Sequence, residues 1–196
     1  MYFLLLFLAA FFIISLISWN WPVKLYHTWL MQKIAREFGC EPVRHGLDAR
    51  ISAELETIYQ GKQLRIRFVE RSLDSLKSAG AGLEIRLGCR SQVILECYRP
   101  WHHKREWADF KQFRSGDRRI DSQWFMLTPE PDRVAPLWQH LNLEILLGDS
   151  SLDQLLLNQK EIIIRLRRFV SGTAVRELVD RVIRAFPDDV EPTIEV

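Results

Sequence analysis

The sequence predicts an α+β fold: a single N-terminal transmembrane helix, then a mainly antiparallel sheet with helices packed on one side. Three observations predict it. Apolar and polar residues alternate through much of 49–98, as half-buried strands require. Helical spacing dominates after residue 130 without a regular βαβ alternation. No acidic or basic side chain occurs between Met1 and Val23, although the chain holds 27 Lys+Arg and 25 Asp+Glu.

The apolar opening reads as a membrane span over 1–22. Phe3 to Ile17 holds twelve Leu, Ile or Phe residues, interrupted by Ala9, Ala10 and Ser15. Tyr2 to Trp21 would reach about 30 Å as a helix, the thickness of a bilayer's hydrocarbon core. The twelve residues contribute at most about −4 to −7 kcal/mol on an insertion scale. Trp19 and Trp21 fall where an aromatic belt belongs, with Lys24 just beyond. A cleaved signal peptide would want a basic start and a small-residue cleavage site, and neither is present. Lys24, Lys33 and Arg36 follow the span, and only the α-amino group precedes it. That bias puts the N-terminus outside and the domain in the cytoplasm. Cys40, Cys89 and Cys97, an odd set without pattern, suit a reducing compartment.

Residues 23–39 read as a juxtamembrane amphipathic helix. Tyr26, Leu30, Ile34 and Phe38 share one face, Trp29 and Met31 widen it, and Gly39 stops it. This stripe packs either on the protein's own domain or on a membrane neighbour or headgroups. Residues 40–186 form the domain. Stretches 49–59 and 62–71 alternate around Gln60-Gly61, a hairpin. Stretches 82–88 and 92–98 look like a second pair after the Ala79–Gly82 loop. Residues 122–128 suggest a strand. Val134, Leu137, Trp138, Leu141 and Ile145 predict a helix over 132–147, with Pro136 in its first turn and Gly148 at its end. A short helix is expected at 150–157, a buried strand at 161–167 and an amphipathic helix at 173–186. The tail 187–196 carries four acids, two prolines and no base. No solenoid repeat is visible.

The net charge of +2 gives no global attraction for polyanions, and no nucleic-acid module is recognisable. Phosphate-loop, dinucleotide, nucleophile-elbow and zincin motifs are absent, so no catalytic residue and no cofactor are assigned. His102 and His103 near Cys97 do not make a zinc site, because adjacent histidines on a strand face opposite ways. The stretch 99–119 is more informative. Arg99, Lys104, Arg105, Lys111, Arg114, Arg118 and Arg119 interleave with Trp101, Trp107, Phe110 and Phe113. Such a mixture fits a solvated loop, anionic headgroups or an acidic partner face anchored by Trp and Arg. The candidate contacts to a partner or to lipid are therefore Tyr26, Trp29, Leu30, Arg99, Trp101, Lys104, Arg105, Trp107, Lys111 and Arg114.

Gly116-Asp-Arg-Arg-Ile-Asp121 is echoed by Gly148-Asp-Ser-Ser-Leu-Asp153. Paired aspartates suit metal or acid–base work, but Gly-Asp also breaks one element and caps the next. The capping role is the better account of Asp117 and Asp121. The run Gly116 to Phe125 resembles a motif of uncharacterised bacterial membrane-anchored α+β proteins, Gly-Asp-x-x-Phe-Asp followed by an aromatic, with Ile120 in place of Phe. The resemblance implies an α+β module on a membrane tether and no known activity.

The expected function is a non-catalytic, single-pass accessory subunit docked on a larger integral-membrane protein complex, such as a photosynthetic or respiratory assembly. The alternatives are a membrane-tethered enzyme or ligand-binding domain with dispersed site residues, and an anionic-lipid surface sensor.

Overall fold

The computed structural model describes residues 3–4, 6–8, 10–12, 21–42, 54–70, 81–100, 109–140, 143–167 and 170–186. Helix α1 spans Trp21–Glu37. Strands β1 (Leu55–Tyr59), β2 (Lys62–Glu70), β3 (Ala81–Gly88), β4 (Leu95–Tyr98) and β5 (Lys111–Phe113) follow. Helix α2 (Arg118–Gln123), strand β6 (Phe125–Thr128) and helices α3 (Pro131–His140) and α4 (Leu143–Leu147) come next. Strands β7 (Leu152–Leu157) and β8 (Glu161–Leu166) and helix α5 (Gly172–Ala185) complete the described order.

The eight strands form one sheet in the order β1-β2-β3-β8-β7-β4-β6-β5, and every pairing is antiparallel. The hairpin at Gln60-Gly61 is as expected. Tyr59 pairs with Lys62, so the turn holds two residues, both at positive φ (49° and 80°). That is the primed geometry that matches strand twist.

The expected pairing of 82–88 with 92–98 does not form. The β7–β8 hairpin inserts between β3 and β4, so each bonds to a strand from far along the chain. The expected helix at 150–157 is strand β7. It lies in the middle of the sheet, where Asp153 and Gln154 are buried beside Leu152, Leu155 and Leu157, so the apolar–polar alternation that marks a half-buried strand is missing. The expected strand at 122–128 is half right: Arg118–Gln123 is helical and β6 begins at Phe125. The helix expected over 132–147 is two helices, with Pro136 inside the first rather than in its first turn. Pro131 holds the opening position, and Ile145 is exposed rather than packed.

One apolar core joins one side of the sheet to the helices. Leu64 and Ile66 face it from β2, Leu83, Ile85 and Leu87 from β3, and Ile162, Ile164 and Leu166 from β8. All five helices from α1 to α5 contribute buried side chains to this same cluster. Helix α1 is part of the domain. Leu30, Met31, Ile34 and Ala35 are buried, and a Cβ on Gly172 at the start of α5 would lie 3.1 Å from the Lys33 carbonyl oxygen. His27 stacks on Phe68 at 4.3 Å, fixing α1 to β2. The other side of the sheet bears no helix among the described residues.

Residues 3–4, 6–8 and 10–12 are helical. Phe3, Leu4, Leu6, Phe7, Leu8, Phe11 and Phe12 are all exposed, between 56% and 91%. These positions span about two thirds of a helix's circumference. The domain leaves all of these described side chains uncovered. Among the described residues, no helix is long and apolar enough to cross a membrane.

Candidate functional site

Three surfaces bear on function. The first is the outer side of α1. Leu25, Tyr26 and Trp29 are exposed (61%, 48% and 48%), and the Lys33 ammonium sits 3.8 Å from the centre of the Trp29 ring. Tyr26 and Trp29 are thus at the surface of the domain. Leu30 is not: the structure buries it in the domain core, so it is withdrawn from any partner or lipid surface. Trp21 and Lys24 lie in the first turn of α1. Trp19 lies outside the described residues.

The second is the expected basic-aromatic patch. Its members part company. Arg99 is 7% exposed and works inside the fold. Its Nε donates to the Leu152 carbonyl (3.2 Å), Nη1 to Gln123 (3.0 Å) and Nη2 to the Asp149 carbonyl (3.2 Å). Its guanidinium lies 4.1 Å from the Trp124 ring, and burial lowers its pKa. Arg99 is therefore a structural clamp rather than a partner contact. Five donors in a rigid fork suit it to bonding carbonyls from several segments at once. Trp124, not singled out in the sequence, is the other half of the clamp: it is buried and its Nε1 donates to the Leu147 carbonyl (2.9 Å). Lys111 and Arg114 are exposed, as a contact surface needs. Arg114 borders a cavity of about 330 Å³ with Phe113, Arg118, Asp121 and Trp124. Trp101, Lys104, Arg105, Trp107, His102 and His103 lie outside the described residues.

Asp117 and Asp121 spend their carboxylates on backbone. Asp117 caps α2 by accepting from the Arg119 amide (2.7 Å). Asp121 accepts from the Ser115 amide and hydroxyl, both at 2.8 Å, and closes the turn at Gly116, whose φ is +86°. Asp149, in the echo of this motif, accepts from the Ser151 amide (2.9 Å) and pairs with Arg181 (2.8 Å). The capping account of both motifs holds.

The third surface was not anticipated and is the most highly organised. On the helix-free side of the sheet, Glu84 on β3 is fully buried. Its carboxylate takes hydrogen bonds from Nε of Arg67 on β2, Arg86 on β3 and Arg165 on β8, each at 2.8 Å. Arg67 adds Nη2 at 2.7 Å. Strand register explains the convergence: Glu84 pairs with Arg67 on one side and Arg165 on the other. Arg86 lies two residues along, on the same face. Burial pushes the Glu84 pKa up, but the three guanidinium groups outweigh it and hold the carboxyl below its ordinary value. Arg86 also reaches Glu161 (3.3 Å), and Arg165 reaches Gln154 (2.9 Å). Further out, Arg65 pairs with Glu54 (2.6 Å). Alternate charges in the strands β2, β3 and β8 carried this signal, but only the strand order brings them together.

The three thiols are free, and Cys97 is buried in the core. Burial pushes Cys89 to about 11 and raises Cys40 and Cys97. Such thiols are protonated and poor nucleophiles. Among the described residues no group of three or more His, Cys, Asp or Glu could hold a metal ion.

The chain matches no protein-family model and no curated protein. Its fold is similar to a solved structure. That structure is the mycobacterial trehalose monomycolate transport factor A, TtfA, with a TM-score of 0.60 at 9% identity. The similarity covers 84% of this chain and 98% of the other. At that identity the likeness establishes the shared α+β architecture alone.

Proposed function

We propose that this protein is a membrane-tethered accessory subunit whose α+β domain docks on a larger integral-membrane assembly and performs no catalysis itself. One observation carries the reading: the exposed apolar helix at the N-terminus. Seven Leu and Phe side chains there find no cover from the domain. Leaving them in water would cost about 10 to 20 kcal/mol, at roughly 1.5 to 3 kcal/mol each. A bilayer removes that cost, and the uncharged run from Tyr2 to Trp21 has the length for one span. The cations after it favour a cytoplasmic domain with the N-terminus outside. Leu25, Tyr26 and Trp29 on α1 then lie against the interface, where aromatic rings and a lysine are at home. The carboxylates of Asp117, Asp121 and Asp149, spent on caps and turns, support a non-catalytic role. So does a fold shared with a protein named as a transport factor, which supports a helper role beside a membrane transport assembly.

The test is extraction of native membranes in mild detergent, then sizing and mass spectrometry. The reading expects the protein in a large particle with a multi-span protein in fixed proportion. A lone monomer at native abundance overturns it.

A further inference from the structure

Many cations of the domain are spent inside the fold. Arg67, Arg86 and Arg165 share Glu84, Arg99 bonds carbonyls, and Arg181 pairs with Asp149. Arg90 and Lys160 are different. Both are exposed, and neither makes an ion pair or a side-chain hydrogen bond among the described residues. Together with Ser91, Gln92, Arg133 and Gln159 they line an open cleft of about 740 Å³. That volume is in the range of small-ligand sites.

Strand order brings the two cations together. Arg90 lies in the loop from β3 to β4, and Lys160 in the turn from β7 to β8. Insertion of the β7–β8 hairpin between β3 and β4 sets loop and turn side by side. Backbone bonds lock them: the Cys89 amide donates to the Lys160 carbonyl (3.0 Å) and the Ser91 amide to the Gln159 carbonyl (3.3 Å). Each is also braced internally. Asn158 Oδ1 accepts from the Lys160 and Glu161 amides (2.8 and 2.9 Å), and Ser91 Oγ accepts from the Val93 amide (3.1 Å). The backbone of the site is therefore set before any ligand arrives. No carboxylate is among the lining residues. Arg133 enters from the first turn of α3 already paired with Glu130 (3.1 Å), and Glu161, beside Lys160 in sequence, is held by Arg86 (3.3 Å). Burial keeps the Cys89 thiol protonated, so it brings no negative charge. The charges of Arg90 and Lys160 stay open.

The geometry points to this cleft as a binding site for the phosphate monoester of a small hydroxyl-rich molecule, such as a sugar phosphate. A phosphate monoester carries about −1.5 to −2 charge at neutral pH, which matches two open cations. The Arg90 fork can take two phosphate oxygens and Lys160 a third. The side-chain amides of Gln92 and Gln159 suit ligand hydroxyls, since each both donates and accepts. No aromatic or branched aliphatic side chain lines the cleft, so a nucleobase or an acyl chain finds nothing to stack on or bury against. A lipid phosphodiester would bring a single charge to two cations. The inference goes beyond the accessory role and does not depend on the membrane tether.

The experiment titrates glucose 6-phosphate into the full chain in maltoside micelles, read by calorimetry. The expected result is saturable binding, half complete below about 1 mM and weakened by about 0.5 M salt. Inorganic phosphate should compete, and glucose should not bind. R90Q/K160Q should weaken binding at least about tenfold. R118Q/R119Q removes the same charge from the exposed start of α2 and should change binding less than about twofold. If R90Q/K160Q fails to fold, R90K serves. It keeps charge but not the fork, and should still weaken binding by about threefold. Vesicles containing phosphatidylglycerol should leave the titration unchanged. No binding, binding of glucose itself, equal weakening in the two glutamine variants, unchanged binding in R90K, or displacement by those vesicles overturns the inference.

Discussion

Replacing Glu84 by Gln tests the arginine cluster at its centre. The substitution keeps shape and removes the charge, so three guanidinium groups face a neutral amide. Taking one partner from a fully buried ion pair costs about 3 to 5 kcal/mol. Glu84 is buried, but its three arginines are 29% to 42% exposed and can turn toward water. Solvent then recovers about half of the loss, leaving roughly 2 kcal/mol. For a domain of this size the melting temperature should fall by about 4 to 8 °C. The assay is thermal and urea unfolding of the full chain in detergent micelles. The sign of the pH dependence adds a second readout. The folded pKa of Glu84 lies below the ordinary value of 4.5. Its contribution is therefore complete above 4.5 and disappears as pH falls through the folded value. The gap between wild type and E84Q should close in acid. Arg67→Gln should cost less than E84Q, since two guanidinium groups remain on the carboxylate. A loss below about 0.5 kcal/mol at pH 7, or a gap that persists in acid, would refute the reasoning.

Other variants probe how the helices are held. Burial lowers the pKa of His27, which stacks on Phe68, so the fold favours the neutral ring. That stability is present above pH 6.5 and lost as pH falls below it, and H27F should flatten the unfolding midpoint between pH 7 and 5. Gly172→Ala should destabilise by about 1 kcal/mol and Gly172→Val by more, because the backbone of α1 at Lys33 and Ile34 stands within 3.1 and 3.3 Å of a new Cβ. Urea unfolding that finds Gly172→Ala more stable would deny this close helix approach. Trp124→Phe should cost about 1 to 2 kcal/mol more than Trp138→Phe. The first strips the Leu147 carbonyl of its donor, whereas the buried Trp138 N–H has no partner among the described residues to lose. Equal losses in chemical denaturation would contradict that ordering.

Much of the fold was legible because local signals agreed with tertiary demands. Gln60-Gly61 announced a two-residue hairpin, β8 announced itself by its β-branched run, and α5 by its apolar stripe. The errors came where burial overrode periodicity. The β7 leucines look helical in isolation, and only the sheet interior makes them a strand. Strand pairing failed for β3 and β4 because no local feature says that a hairpin 60 residues on will come between them. The site followed the same rule. The outer row of α1 could be read from spacing alone, with Leu30 on the wrong side of the boundary. Arg99 looked like a surface contact because charge is read as exposure, yet carbonyls from distant segments bury it. The arginine cluster stayed hidden because it is assembled across three strands.

The measurement that bears most directly on the account is the fate of the full-length chain when native membranes are washed with alkaline carbonate. Intact polypeptide retained in the pellet, with Met1 to Trp21 still attached, is the predicted result. Release into the wash, or a mature N-terminus beginning beyond Trp21, would contradict it.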